Sequence, residues 1–144
     1  GVSESVFPDP GMVYEQSSAA GGIRRVNAEL YDIMVERGVY NKETLDDIIN
    51  NLGSVQHVDW LSQEEKWVFK NAFEVDQEVI LRYASLRQKF LCQGQSLNFF
   101  FTEDEEVISR VHTMALLNPN ILSLYYIYSR SGVVVSNDCL ACSA

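Results

Sequence analysis

The chain has 144 residues, of which 47% are hydrophobic, so its length and composition predict a single domain with a packed core. Its 11 basic and 20 acidic side chains give a net charge of −9. This balance argues against nucleic acid and against an anionic membrane as partners, because both are bound through clustered Lys and Arg. No apolar run is long enough to span a bilayer, and no signal peptide is recognised at the beginning of the chain.

The first two-thirds of the chain is predicted to be an irregular segment followed by four helices. Residues 1–25 are predicted to be irregular, because Pro and Gly recur there without an apolar period. Each helix is predicted from a polar starting residue followed by an apolar stripe. The predicted starts are Asn27, Asn41 or Thr44, Ser62 (in a capping box with Glu65) and about Asp76. The fourth helix is predicted to turn Val79, Ile80, Tyr83, Leu86 and Phe90 inward.

The pattern then changes to a strand, a helix and a second strand. Residues 96–101 and 121–129 are short, β-prone and apolar, and a helix is predicted between them from Glu103 to Leu116, before Pro119. A crossover of this length predicts two parallel strands with a right-handed connection. Because two buried strands cannot form a stable sheet alone, we expect partner strands from elsewhere and an apolar surface where they belong.

The end of the chain carries two cysteines at C-x-x-C spacing, Cys139 and Cys142, on a segment after Arg130 that is predicted to be a flexible tail. This pair is interpreted as a disulfide shuttle, as one edge of a metal site, or as a motif without function. A structural zinc site needs two more ligands, and Cys92, His57 and His112 do not have ligand spacing. Cys92 is predicted to be a small buried apolar residue. An odd number of cysteines suits a reducing, cytoplasmic location rather than a disulfide framework.

Tyr125 and Tyr126 are adjacent in the predicted last strand, and Tyr128 is close by. They reflect either the preference of tyrosine for strands or a redox pair that passes an electron and a proton together. A redox pair has to be buried and in mutual contact. Because neighbours in a regular strand point to opposite faces, such contact requires a strand end or a local distortion.

Several segments carry a resemblance, in this order along the chain: Ser3-Glu4-Ser5 before Pro8, Arg24-Arg25-Val26-Asn27, GSVQHV at 53–58, CQGQSLNFFF at 92–101, SLYYIYSR at 123–130 and the terminal CLAC. Together they resemble the last portion of the large, catalytic subunit of class I ribonucleotide reductases. The resemblance covers essentially the whole chain. It implies an α/β fold, namely a helix-rich C-terminal fragment of a ten-stranded α/β barrel, with residues 1–130 in the barrel domain and 131–144 as a redox-active tail.

The resemblance also implies a function, the reduction of ribonucleoside diphosphates to deoxyribonucleoside diphosphates. It places Tyr125 and Tyr126 at the radical-relay pair, and Cys139 and Cys142 at the tail pair that re-reduces the active-site disulfide. The radical cysteine has no counterpart here, so the chain is expected to be inactive without the N-terminal remainder of the subunit. No cofactor or metal is expected in this chain, because the metal-radical cofactor belongs to a small subunit.

The other partners that the resemblance implies are thioredoxin or glutaredoxin and the ribonucleoside diphosphate substrate. Nine residue steps separate Arg130 from Cys139, about 30 Å when fully extended, which limits the reach of the tail. The alternative function is a non-enzymatic helical interaction module with a terminal zinc- or redox-sensing C-x-x-C.

Overall fold

A computed structural model describes residues 7–18 and 21–130 of the chain. The described residues form two compact units, one of residues 9–18 and 21–71 and the other of residues 7–8 and 72–130. Their elements, in chain order, are β1 (Val13–Ser18), β2 (Gly21–Val26), α1 (Ala28–Glu36), α2 (Lys42–Asn50), α3 (Gln63–Val68), a 3₁₀ turn (Ala72–Glu74), α4 (Gln77–Gln88), β3 (Phe99–Thr102), α5 (Glu105–Leu117) and β4 (Ile127–Arg130).

The first unit begins with an antiparallel pair of strands, so the prediction that residues 1–25 are irregular is wrong for β1 and β2. Val13 pairs with Val26, and the register runs to Ser18 opposite Gly21. The Arg24 guanidinium lies 3.1 Å from the carboxylate of Glu15 and 2.8 Å from that of Asp46. A two-stranded ribbon is marginal in isolation, and this one is held because Val13 is buried in the core of the unit.

The three helices of this unit begin where their capping residues predict. The side chains of Asn27, Asn41 and Ser62 accept hydrogen bonds from backbone N–H groups in the first turns of α1, α2 and α3. Their apolar stripes meet β1 and the link after α2 in one core, formed by Met12, Val13, Leu30, Met34, Leu45, Ile48, Val55, Val58, Leu61 and Phe69.

Glu65 joins the start of α3 to the end of α1. Its carboxylate accepts the Ser62 N–H at 2.7 Å and lies 2.5 Å from the Arg37 guanidinium, which also donates to the carbonyl of Trp60. The hydrogen bond from Arg37, followed by that from Ser62, lowers the pKa of Glu65 to about 2. The same carboxylate therefore completes the capping box and fixes the two helices to each other.

Gly53, three residues after the end of α2, is predicted to be the least replaceable of Gly11, Gly22, Gly38 and Gly53 in the first unit. Its φ is +74°, and an added Cβ would lie 2.7 Å from the Cα of Gly11 and 3.0 Å from the carbonyl oxygen of Val13. Since those neighbours are backbone atoms, they cannot move aside cheaply. We expect Gly53→Ala to lower the free energy of unfolding by more than about 3 kcal/mol, measured by chemical denaturation.

Gly38 is the matched control, because it also has a positive φ (+68°) but no atom within 4 Å of its added Cβ. Gly38→Ala should lower the free energy of unfolding by about 1–2 kcal/mol, which is the cost of placing a side chain in the left-handed backbone region. Equal losses for the two variants would show that the contact between Gly53 and Gly11 does not control the stability of this unit.

In the second unit, α5 connects the two parallel strands β3 and β4. Phe99 is in register with Ile127, and Thr102 with Arg130. Both strands are shorter than predicted, since residues 96–98 and 121–126 have no regular strand conformation. On the side of β3 away from β4, the N–H of Phe100 donates to the carboxamide oxygen of Gln77 at 3.0 Å. The Gln77 side chain therefore takes the place of a neighbouring strand at this point.

The predicted inward face of α4 is wrong for most of its residues. The buried residues are Gln77, Leu81, Ala84 and Gln88, with only Ile80 of the predicted set packed at the edge of the core. Val79, Tyr83 and Leu86 are exposed, and Phe90, beyond the end of α4, is 88% exposed. The helix is apolar on two sides, and Phe99 and Phe101 of β3 pack with the side that carries Leu81 and Ala84.

Two other features of the second unit concern exposed side chains. Cys92 is an exposed free thiol, so the prediction that it is a small buried apolar residue is wrong. Further large apolar side chains are exposed after α4 and around the end of α5, namely Leu91, Leu116, Leu117 and Leu122. Among the residues described, no helix is long and apolar enough to cross a membrane.

Candidate functional site

The structure brings Tyr125 and Tyr126 into direct contact. Their ring centroids lie 4.0 Å apart with the ring planes tilted by 52°, and the hydroxyl of Tyr125 donates to that of Tyr126 at 3.1 Å. The pair precedes β4, which begins at Ile127, so the contact is made at a strand end. The expectation of burial is not met within this chain, because the two side chains are 55% and 47% exposed.

The backbone of the pair is fixed to the segment that leads into β3. The N–H of Tyr125 donates to the carbonyl of Leu97 at 2.8 Å, and the N–H of Phe99 donates to the carbonyl of Tyr126 at 2.9 Å. The N–H of Tyr126 donates instead to a side chain, the carboxamide oxygen of Asn98, at 3.2 Å. The Asn98 side chain thus contacts the backbone of the pair.

A chain of amide side chains connects this segment to α4. The carboxamide nitrogen of Gln95 donates to the carbonyl of Ala84 at 2.7 Å and to the side-chain oxygen of Gln88 at 3.1 Å. Gln88 in turn donates to the carbonyl of Gln93 at 2.8 Å, and Ser123 donates to the carbonyl of Gln95 at 2.8 Å. Because Ser123 lies two residues before Tyr125, this network holds in place the backbone segment that leads into the tyrosine pair.

An aromatic cluster continues from the pair within the second unit. The ring of Tyr128 lies 5.9 Å from that of Tyr126 and stacks on Phe100 at 4.8 Å with an interplanar angle of 15°. Phe73 contacts the same Phe100 ring at 5.2 Å, and the Arg130 guanidinium lies 4.2 Å from the Phe73 centroid. Burial lowers the pKa of Arg130, an effect that the charge of Glu74 opposes.

The other predicted site residues, Cys139 and Cys142, lie outside the described residues, as does the whole predicted tail 131–144. In the described part of the chain, no group of three or more His, Cys, Asp or Glu side chains could hold a metal ion. The His57 imidazole lies 2.7 Å from the Asp47 carboxylate, and His112 contacts the carbonyl of Ile108 at 2.8 Å within its own helix. Both histidines therefore have structural partners.

Reasoning from the sequence missed the residues that support the tyrosine pair. Gln88 and Asn98 are buried polar side chains, and Gln95 is partly buried. A signal for some of them was present, because Q-x-Q-S-L-N places three amide side chains directly before the strand Phe99–Thr102. Buried amides need hydrogen-bond partners, so such a run predicts a network rather than a simple strand.

Comparison with known proteins identifies the family. Residues 1–119 match the family model described as "Ribonucleotide reductase, barrel domain". The chain belongs to the ribonucleotide reductase family. Tyr125 and Tyr126 lie beyond the residues that this family model matches, so their assignment depends on the resemblance in the sequence and on the geometry above.

Individual members of the family are similar over nearly the whole chain. A Frog virus 3 protein named as a ribonucleoside-diphosphate reductase large subunit is 40% identical over 134 residues, which is 92% of this chain and 24% of the viral protein. The ribonucleoside-diphosphate reductase subunit alpha of Chlamydia muridarum is 29% identical over 96% of this chain and 13% of its own length.

Among solved structures, the class Id ribonucleotide reductase alpha subunit of Actinobacillus ureae is similar, with a TM-score of 0.73 and 31% identity. The similarity covers 96% of this chain and 24% of that subunit. The α/β arrangement described above therefore matches part of a reductase alpha subunit. The chain spans about a quarter or less of the length of these relatives.

Proposed function

We propose that this chain contributes the C-terminal part of a ribonucleoside-diphosphate reductase large subunit, with residues 1–130 in the barrel domain and 131–144 as a redox-active tail. In the complete subunit, ribonucleoside diphosphates are reduced to deoxyribonucleoside diphosphates. Tyr125 and Tyr126 relay the radical, and Cys139 and Cys142 supply reducing equivalents. None of the similarities supports the alternative, a non-enzymatic helical module with a terminal C-x-x-C.

The observation that carries this proposal is the hydrogen bond between the two phenols, 3.1 Å long. When Tyr126 is oxidised to its phenoxyl radical, the hydrogen atom of the Tyr125 hydroxyl moves to the Tyr126 oxygen. The Tyr125 O–H bond breaks, the Tyr126 O–H bond forms, and the unpaired electron is left on Tyr125. Since the proton travels along an existing hydrogen bond, no charged intermediate is needed.

The partial exposure of the pair fits a relay between two protein surfaces. A tyrosyl radical open to water would be quenched, so an active enzyme has to cover both rings. In this proposal the N-terminal remainder of the large subunit and the radical-generating small subunit provide that cover. The metal-radical cofactor belongs to the small subunit, and this chain binds none.

Reconstitution tests the proposal. The 144-residue chain is mixed with a polypeptide that supplies the rest of the barrel, with the small subunit and with dithiothreitol, and the conversion of cytidine diphosphate is measured. We expect turnover only when all three proteins are present. Turnover without this chain, or no turnover from the assembled and folded complex, would refute it.

A further inference from the structure

We propose that Asn98 is a positioning residue for the tyrosine pair, because its side chain holds the backbone of Tyr125 and Tyr126 in a bulge that brings the two rings together. The structural part of this inference stands on the hydrogen bonds alone. Its consequence for turnover rests on the proposed function.

The bulge follows from the register of the two strands. Phe99 is opposite Ile127, and its N–H donates to the carbonyl of Tyr126, as a parallel ladder requires. One step earlier, the same ladder would direct the N–H of Tyr126 to the carbonyl of Leu97. That carbonyl accepts the N–H of Tyr125 instead. Two residues therefore occupy the place of one, which is the defining feature of a bulge.

The bulge leaves one backbone N–H without its ladder partner, and Asn98 accepts the hydrogen bond from it. Displacing the ladder by one residue leaves the N–H of Tyr126 without a carbonyl, and the Asn98 carboxamide oxygen accepts it at 3.2 Å. Asn98 is only 2% exposed, so water cannot readily replace that oxygen. A side chain from the segment before β3 thus provides the acceptor that the ladder no longer provides.

The bulge also explains the contact between the rings. In a regular strand, Tyr125 and Tyr126 would point to opposite faces, and their hydroxyls could not meet. A bulge changes the direction of a side chain at the point where it occurs. A regular parallel ladder would pair the N–H of Tyr126 with the Leu97 carbonyl. Without an acceptor at position 98, we expect the N–H of Tyr126 to take that carbonyl, which restores the regular ladder and separates the rings.

Nuclear magnetic resonance on the isotopically labelled 144-residue chain tests the structural part. We expect a scalar coupling across the hydrogen bond between the Tyr126 amide nitrogen and the Asn98 side-chain carbonyl carbon, and a nuclear Overhauser effect between the two tyrosine rings. A coupling from Tyr126 to the Leu97 carbonyl carbon would overturn the proposal. This measurement needs no variant and no enzymatic activity.

Two substitutions of similar size separate the acceptor from the packing. Asn98→Leu removes the acceptor oxygen, and we expect the nuclear Overhauser effect between the rings of Tyr125 and Tyr126 to be lost. The nuclear Overhauser effect between Phe100 and Tyr128, whose rings are stacked at 4.8 Å, should be kept. Asn98→Asp keeps an oxygen acceptor and should retain both effects. If Asn98→Leu kept the contact between the tyrosine rings, the positioning role would be refuted.

The consequence for catalysis is tested in the reconstituted enzyme. Asn98→Leu should lower kcat by roughly ten- to a hundredfold with an unchanged KM, since only the alignment of the relay is altered, and Asn98→Asp should restore it. A lost ring contact with unchanged kcat would show that Asn98 positions the pair but that the pair is not the relay. In that case the proposed function fails and the structural inference remains.

Discussion

Replacing Tyr125 or Tyr126 with phenylalanine should reduce turnover of the reconstituted reductase by at least about a hundredfold, equivalent to about 2.7 kcal/mol of activation free energy. A phenyl ring has no O–H hydrogen to give, so the step between the two oxygens cannot occur. Tyr125→Phe removes the donor of the 3.1 Å hydrogen bond, and Tyr126→Phe removes its acceptor. Turnover of cytidine diphosphate with dithiothreitol is the measurement.

Tyr31→Phe is the matched control, because Tyr31 and Tyr40 are also two tyrosines in ring contact, with centroids 4.8 Å apart. Tyr31 is 42% exposed, similar to Tyr126, so both substitutions remove a hydroxyl from a partly exposed ring. Turnover of the Tyr31→Phe enzyme should be close to that of the unsubstituted enzyme. If Tyr125→Phe and Tyr126→Phe retained full turnover as well, the relay assignment would be wrong.

Cys139→Ser and Cys142→Ser should each abolish turnover driven by thioredoxin while sparing turnover driven by dithiothreitol. A shuttle exchanges disulfides through a mixed disulfide, and a serine oxygen cannot form one. A small dithiol can reach the active-site disulfide without the tail, so it bypasses the substitution. The ratio of thioredoxin-driven to dithiothreitol-driven turnover should therefore fall by at least about tenfold in both variants.

The control for the tail is Cys92→Ser, which removes the exposed thiol that lies within the described residues. We expect no change in either activity, because no step of the proposed function uses Cys92. Equal loss of both activities in the Cys139 and Cys142 variants would contradict the shuttle role. It would favour a structural role for the two tail cysteines.

The starts of the first three helices were predictable because helix capping is local. Asn27, Asn41 and Ser62 each accept an N–H three residues further along the chain, so the evidence for each start lies within one turn. The β1–β2 ribbon was not predictable in the same way. Charged and polar residues such as Arg24 and Glu15 obscure its alternation, and its stability comes from the core beneath Val13.

The buried face of α4 was predicted wrongly because the helix offers two apolar sides. Val79, Tyr83 and Leu86 are a plausible core stripe, yet in this chain Leu81 and Ala84 pack with the strand β3. Sequence periodicity shows that a helix has an apolar side, but which side is buried depends on the shape and position of its neighbours.

For the candidate site, the sequence by itself determined the residue types and the family. The adjacent tyrosines, the segment Q-x-Q-S-L-N and the terminal C-x-x-C are readable in the chain, and their order was enough to suggest a reductase. The condition that adjacent tyrosines can meet only at a strand end or a distortion also followed from the alternation of side chains along a strand.

Only the tertiary structure decided how that condition is met. The two hydroxyls meet because the parallel ladder is displaced by one residue at Tyr125 and Tyr126, and the displaced N–H is accepted by Asn98, 28 residues earlier in the chain. No local propensity specifies such a contact, since its two partners are brought together by the pairing of β3 with β4. The sequence supplied the two phenols, and the folded chain set the 3.1 Å between their oxygens.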